Sequence, residues 1–289
     1  MFGLLNIDKP QGMTSRDVVN VVQRVIRPVK VGHAGTLDPL ATGVLILPVG
    51  RATRLTDLIH KVSKTYVAIF ELGKVSETED IEGEIEIRDV RDIPDLESVQ
   101  RVVAGFCGRQ LQRPPAYSAL KINGKRAYSL ARRGEKVELK SREIEILQIR
   151  ILTYDFPILQ LEVECTSGTY IRSLGRDIGE QLNTGAVMTG LRRTAIGNFT
   201  VEQAIAPDFS SPQSVASSLH NPLQILDGFH RTLLNEQQQQ QLFHGRRIDL
   251  NDIPGDMTLG ISSEEQLLSV LVRVRETTSF QPAKNFFDC

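Results

Sequence analysis

One stretch near the N-terminus, residues 33–45, constrains this chain more than any other. It runs HAGTLDPLATGVL and holds a single carboxylate, Asp38. Gly35 and Gly43 can adopt backbone conformations that other residues avoid. Pro39 fixes its own φ and keeps the residue before it out of the helical region. The pattern therefore predicts a tight, rigid loop with the carboxylate at its corner, followed by an apolar strand.

Two interpretations of this carboxylate follow from the local pattern. Asp before Pro commonly starts an ordinary turn, because its side chain can bond the backbone two residues on. An acid at a rigid corner, flanked by glycines that let a ligand approach the main chain, is also well presented to a substrate. The dipeptide Asp38-Pro39 alone favours the turn, whereas the order of the whole string favours a functional loop.

Composition limits the class of protein. Charged residues make up 24% of the chain and hydrophobic ones 40%, which is typical of a globular protein. Three scattered cysteines and five histidines without metal-ligand spacing argue against a disulfide framework or a zinc site and favour a reducing cytosol. The N-terminus is too polar for a signal peptide, and no apolar run approaches membrane-spanning length. We therefore expect a cytoplasmic protein.

Charge is distributed unevenly although the net charge is only −1. Residues 71–100 carry eleven acids against three bases, and residues 101–150 carry twelve bases against four acids. The basic block can form an electrostatic footprint for nucleic acid. It can equally be a solvated face that pairs with the acidic segment before it, and charge alone does not separate the two interpretations.

Periodicity predicts a mixture of strands and helices without regular βαβ alternation, so an α+β fold is favoured over a doubly wound sheet. Thr14, with Asp17 three residues later, predicts the capped start of the first helix. A segment rich in Ser and Pro, near residues 207–222, predicts a linker. The predicted strands cover residues 3–8, 44–49, 64–72, 136–153, 158–165 and 190–201, and further helices cover 51–61, 95–106, 169–182 and 235–244.

Several separate segments, in order along the chain, carry a resemblance to a known family. They are residues 3–15, the loop at 33–45, Ser63-Lys64-Thr65-Tyr66, residues 113–128, residues 168–174 and Leu191-Arg192-Arg193-Thr194. Together they resemble the TruB family of tRNA pseudouridine synthases, and the resemblance covers about residues 3–206.

The resemblance implies an architecture and an activity. The expected fold is a mixed, largely antiparallel sheet core with flanking helices, plus a small, mostly-β, PUA-like C-terminal domain. We expect residues 1–206 to form the catalytic domain, 207–230 a linker region and 231–289 the C-terminal domain. The implied reaction turns the TΨC-loop uridine of tRNA, uridine 55, into pseudouridine. It needs no cofactor and no metal, and we expect a monomer that binds the T-arm stem-loop without an obligate protein partner.

Three catalytic residues follow from the same resemblance. Asp38 matches the family nucleophile, and a carboxylate can form a covalent intermediate that divides one difficult step into two. Arg172 matches the arginine that pairs with it, and its planar fork suits a carboxylate better than Lys would. Tyr66 matches a tyrosine that stacks on the target uracil and is a proposed base for the C5 proton. A phenol is a weak base at neutral pH, so stacking is the simpler role.

Five residues are expected to bind RNA. His33 matches the histidine that enters the loop where the target base leaves it, and its flat ring can stack on neighbouring bases. Leu191 matches an apolar residue of the pocket. The others are Tyr170, Lys121 and Arg126, the last two from the basic block. Read in isolation, each of these residues would more commonly serve packing or a solvated surface.

The chain departs from the family pattern in one place and leaves two other functions open. The family often has C-S-K-G-T-Y where this chain has Cys165-Thr166-Ser167-Gly168-Thr169-Tyr170, so one phosphate contact is missing or is supplied elsewhere. The C-terminal residues 207–289 carry ten acids against six bases, which is weak electrostatics for RNA binding. The alternatives are a non-catalytic tRNA-binding or folding chaperone and an RNA-guided synthase within a multiprotein particle.

Overall fold

The computed structural model describes residues 1–117, 139–275 and 277–287, and the backbone of 121–122 and 125–126. Within these ranges the strands are β1 Phe2–Lys9, β2 Thr42–Gly50, β3 Lys64–Leu72, β4 Lys74–Val75, β5 Glu86–Ile87, β6 Gly108–Gln112, β7 Lys121–Ile122, β8 Lys125–Arg126, β9 Arg142–Asp155, β10 Ile158–Cys165, β11 Ala186–Ile196, β12 Phe199–Thr200, β13 Arg231–Leu233, β14 Ile248–Asp249, β15 Met257–Ile261, β16 Leu267–Arg273 and β17 Ser279–Asn285. The α-helices are α1 Ser15–Val25, α2 Thr56–Ile59, α3 Leu96–Ala104, α4 Ile171–Gln181, α5 Pro212–Ser217 and α6 Glu236–Phe243. Short 3₁₀ helices cover Arg51–Leu55, Val201–Gln203 and Pro222–Gln224.

A large mixed sheet organises the N-terminal part of the chain. Its strand order is β1-β2-β11-β3-β10-β9-β6, with β12 paired to β11. Neighbouring strands are antiparallel except β2 and β11, which run parallel. The predicted α+β class with a largely antiparallel sheet is therefore confirmed.

A second, five-stranded sheet follows in the order β13-β15-β16-β17-β14. It shares a hydrophobic core with the large sheet, since Leu259 and Val270 belong to the same buried cluster as Leu4 and Ile46. The segment 207–230 contains α5 and buries Val215, Leu223, Ile225 and Leu226. The backbone of His220 also exchanges two hydrogen bonds with Leu4, at 3.0 and 2.8 Å. The segment therefore packs against the large sheet, and the domain boundaries stay a prediction.

Local rules explain the elements nearest the functional loop. Thr14 and Asp17 form a reciprocal capping box at the start of α1, as predicted. β3 spans the predicted residues 64–72 and buries Tyr66, Ala68 and Phe70 on one face. The predicted helix over 51–61 is shorter and is divided into a 3₁₀ turn and α2. Residues 136–138 of a predicted strand lie outside the described residues.

None of the helices in the described ranges has the length and apolar character needed to cross a membrane.

Candidate active site

Contacts to buried neighbouring residues anchor the loop that carries Asp38. Leu37 is buried, and both its N–H and its carbonyl bond the hydroxyl of Ser15, the first residue of α1, at 2.8 and 3.2 Å. The ammonium of Lys9, which is fully buried, lies 3.5 Å from the carbonyl oxygen of Pro39. With Leu37 and Pro39 fixed in this way, the Asp38 side chain keeps 39% of its surface exposed. The carboxylate is presented to solvent by a loop that is itself anchored.

Arg172, the second residue of α4, lies between two carboxylates. Its Nη2 is 3.1 Å from Oδ2 of Asp38, and its Nη1 is 3.0 Å from Oδ2 of Asp80. It also donates to the backbone carbonyls of Thr78 and Tyr117, at 2.9 and 3.0 Å. The Arg172 side chain is only 8% exposed and that of Asp80 only 3%. The guanidinium is therefore held by the buried Asp80 carboxylate and two backbone carbonyls, and its Nη2 contacts Asp38 as well as Tyr117.

Six of the predicted site residues line one cavity of about 340 Å³. They are His33, Asp38, Tyr66, Tyr170, Arg172 and Leu191. The other two, Lys121 and Arg126, lie on the ribbon formed by β7 and β8, where the two residues are paired across the strands. Their side chains fall outside the described part of the chain. The volume is at the lower end of the range for ligand pockets, which is appropriate for a nucleoside rather than a whole hairpin.

Tyr66 forms part of the cavity wall beside a buried arginine that the sequence analysis did not select. Burial raises the pKa of Tyr66, so the phenol is protonated at neutral pH. The Arg193 guanidinium carbon lies 6.0 Å from the Tyr66 ring centroid. Arg193 donates to the carbonyls of Val44 and Gly35, at 2.7 and 3.1 Å. It thus ties strand β11 to the loop that carries Asp38.

One glycine makes that strand contact possible. Gly43, at the start of β2, has φ +98°, and a Cβ there would lie 2.2 Å from the carbonyl oxygen of Arg193. Any other residue would force β2 and β11 apart at the point where they run parallel. The glycine of the loop therefore serves close strand packing, in addition to the tight turn expected from the sequence.

Lys64 adds positive charge to the cavity. Its ammonium donates to the carbonyls of His60 and Val62, at 2.6 and 2.5 Å. Burial lowers the pKa of Lys64 to about 8, and the neighbouring charge of Arg193 acts in the same direction. A substantial fraction is still charged at neutral pH, which favours an anionic ligand.

A second contact between charged groups fixes the segment that supplies Asp80. Glu79 accepts from the Ser173 hydroxyl at 2.6 Å and pairs with the Arg176 guanidinium. Burial raises the pKa of the Glu79 carboxyl, and the contacts to Ser173 and Arg176 oppose that shift. Arg172 and Arg176 are four residues apart on α4, so consecutive acids of one loop bind consecutive turns of one helix.

Sequence reasoning did not select Asp80, Glu79 or Arg193. The two acids were part of an acidic segment that was interpreted only through its charge. Arg193 lay inside one of the resembling motifs, which was the available signal. Asp80 is separated from Arg172 by 92 residues, and only the packed structure brings them together.

This arrangement has a defined chemical capacity. Asp38 is an accessible oxygen nucleophile that pairs with the Arg172 guanidinium. The Tyr66 ring and the Leu191 side chain supply flat and apolar surface for a base. In the described ranges, no group of three or more His, Cys, Asp or Glu side chains is arranged to hold a metal ion.

Comparison with known proteins gives consistent matches. The model of the N-terminal domain of TruB family pseudouridylate synthases matches residues 23–171, and that of the tRNA pseudouridylate synthase B C-terminal domain matches residues 172–208. A curated protein of Clostridium acetobutylicum named tRNA pseudouridine synthase B is 39% identical over 271 residues, covering 92% of this chain and 93% of that protein. One of Dehalococcoides mccartyi with the same name is 38% identical, covering 99% and 97%. A chain in the crystal structure of a Cbf5-Nop10-Gar1 complex has a TM-score of 0.73 at 24% identity, covering 100% of this chain and 84% of its own; that likeness concerns the fold alone.

Proposed function

Because the chain belongs to the TruB family of pseudouridylate synthases, we propose that it is a tRNA pseudouridine synthase that isomerises uridine 55 of the TΨC loop. The observation that supports this most strongly is the partly exposed Asp38 carboxylate, 3.1 Å from a buried arginine at the edge of a nucleoside-sized cavity. As an isomerase, it transfers the uracil from N1 to C5 attachment on the same ribose.

The reaction is balanced without a co-substrate. The bond from N1 to C1′ breaks, the uracil turns, a bond from C5 to C1′ forms, and the proton lost from C5 is matched by the proton gained at N1. Asp38 supplies the nucleophilic oxygen, and attack at C6 of the base and attack at C1′ of the ribose both suit its position. Arg172 orients that oxygen through its guanidinium contact. Since no electron or external group is transferred, we expect no cofactor.

The target base lies inside a folded RNA loop and has to be extruded, at a cost of a few kcal/mol of unstacking. We assign His33 to stacking within the vacated loop and Tyr66 to stacking on the flipped uracil. Leu191 and Tyr170 complete the walls of the base pocket. Stacking, rather than acceptance of the C5 proton, is the role we assign to Tyr66, because burial keeps its phenol protonated.

The remaining assignments concern partners. We propose that the T-arm stem-loop of tRNA is the bound unit, with Lys121 and Arg126 contacting phosphates. We further propose that the protein acts as a monomer, without an obligate protein partner, in the cytoplasm.

The decisive experiment measures tritium release from tRNA labelled at uracil C5, with the wild type and Asp38→Asn. The variant should release none while keeping most of its affinity for tRNA, because Asn preserves shape but is not a nucleophile. Asp89→Asn, which changes an exposed acid, is the matched control and should behave like the wild type. Turnover by Asp38→Asn would refute the nucleophile assignment. Tight tRNA binding by the wild type without any release would favour the chaperone function.

A further inference from the structure

Among the cationic side chains that line the active-site cavity, Arg142 differs from the others in its hydrogen-bond partners. The donors of three cavity cations are directed at protein oxygens: Lys64 at backbone carbonyls, Arg193 at backbone carbonyls, and Arg172 at two carboxylates and two carbonyls. Arg142, the first residue of β9, lines the same cavity. Its Nε is buried and has no hydrogen-bond acceptor in the described part of the chain.

Arg142 is nevertheless held in a defined position. Its guanidinium carbon lies 4.5 Å from the Tyr170 ring centroid, which is a stacked cation–π contact. A Cβ on Gly168 would lie 3.3 Å from the same carbon, and Gly168 has φ +96°. The glycine thus lets the loop 166–170 close over the guanidinium. By contrast Arg150, farther along the same strand, is paired with Glu162 at 2.8 Å.

A buried guanidinium nitrogen without an acceptor is unfavourable unless a ligand supplies one. Among the described residues that line the cavity, the one carboxylate is Asp38, and it pairs with Arg172. Uracil and ribose are neutral, so the anionic groups of a nucleotide are its phosphates. The guanidinium fork matches a phosphate in a bidentate way.

We propose that Arg142, stacked on Tyr170 and covered by Gly168, forms the binding site for an RNA backbone phosphate adjacent to the flipped nucleotide. This inference rests on the proposed function and deepens it, since it assigns the anionic part of the substrate. It also supplies the phosphate contact that the sequence of the 165–170 segment left unassigned.

The first test is the affinity of a T-arm stem-loop RNA for the wild type, Arg142→Ala and Arg142→Lys. Loss of one charged hydrogen-bonded contact should raise the Kd of Arg142→Ala by about 10- to 100-fold, and that of Arg142→Lys by less. The slope of log Kd against the logarithm of the salt concentration should also be smaller by about 0.7 for Arg142→Ala than for the wild type. Arg150→Ala removes one positive charge from the same strand and should leave the Kd close to that of the wild type.

The second test replaces single phosphates beside the target uridine by neutral methylphosphonates. At one position the replacement should weaken binding by the wild type to the level of Arg142→Ala and should cost Arg142→Ala nothing further. Equal losses in both proteins at every position would overturn the proposal, because Arg142 would then only support Tyr170. An unchanged Kd for Arg142→Ala would overturn it as well.

The phosphate site can still be tested if Arg142→Ala does not fold or if the wild type releases no tritium. If Arg142→Ala does not fold, the methylphosphonate scan with the wild type and Arg142→Lys decides, and the absence of any sensitive phosphate refutes the site. A wild type that binds the stem-loop and shows the coupled phosphate, but releases no tritium, contradicts the proposed function and leaves the phosphate site supported.

Discussion

Replacement of Arg172 by Met tests whether the buried charge network holds the site together. Met is unbranched and uncharged, so the change removes the contacts to Asp38, Asp80 and two backbone carbonyls while keeping an apolar stem in the same place. Asp80 is then left 3% exposed with no cationic partner among the described residues, whereas Asp38, 39% exposed, can be solvated. The cost to stability should therefore come mainly from Asp80.

The magnitude follows from the burial of the pair. Breaking a buried ion pair from one side costs about 3–5 kcal/mol, because an unpaired charge stays in the interior. With an unfolding entropy of about 2.1 cal/mol/K per residue, a chain of this length should lose about 5–8 °C in Tm. Adding Asp80→Asn removes the orphaned charge while its Oδ1 can keep the contacts to Thr78 and Glu82. The double variant should thus recover to within about 1–2 kcal/mol of the wild type, the remainder being two carbonyls without their donor.

Stability and turnover should separate in this pair of variants. Urea unfolding measures the first, and tritium release from labelled tRNA measures the second. Both variants should lose at least about 100-fold in turnover, because neither holds a cation against Asp38. Equal stability of Arg172→Met and the wild type would refute the reasoning. So would a double variant that is as unstable as the single one.

Three further predictions concern the surrounding residues. Tyr66→Phe should keep most of the turnover, because the ring stacks on the base and the phenol stays protonated. Tyr66→Ala should lose about 10-fold or more of tRNA affinity and turnover, because the stacking surface is removed. Equal loss in both variants would show that the hydroxyl is required. Burial lowers the pKa of Lys64 in the folded protein to about 8, from its usual 10.5, so the unfolded state binds the proton more tightly. The free energy of unfolding of the wild type should therefore rise by about 2–3 kcal/mol relative to Lys64→Met as pH rises from about 8 to 10. Urea titrations at both pH values measure this, and parallel profiles of the two proteins would contradict it. Glu79→Gln should lower kcat with little effect on KM, because it loosens the loop that presents Asp80, and Ser173→Ala should lower kcat less; a change in KM alone would argue against this positioning role.

Local sequence was sufficient for features that depend on neighbours along the chain. The capping box at Thr14 and Asp17 involves residues three positions apart. The alternation of β3 shows directly which face is buried. The loop around Asp38 could be recognised because glycine and proline restrict or free the backbone at their own positions. For the same reason the resemblance of this loop to a known family could be recognised from the sequence alone.

Tertiary structure decided which side chains meet. Arg172 lies between Asp38 and Asp80 because α4 packs across strands whose order, β2-β11-β3-β10, does not follow the chain. Likewise, only the folded structure shows that the Nε of Arg142 lacks a hydrogen-bond acceptor among the described residues, because Gly168 and Tyr170 pack over the guanidinium. Such contacts depend on strand register and on what packing leaves unpaired, and neither is encoded in short-range spacing. The sequence thus determined where the nucleophile lies in the chain, and the packed sheet determined which side chains contact and surround it.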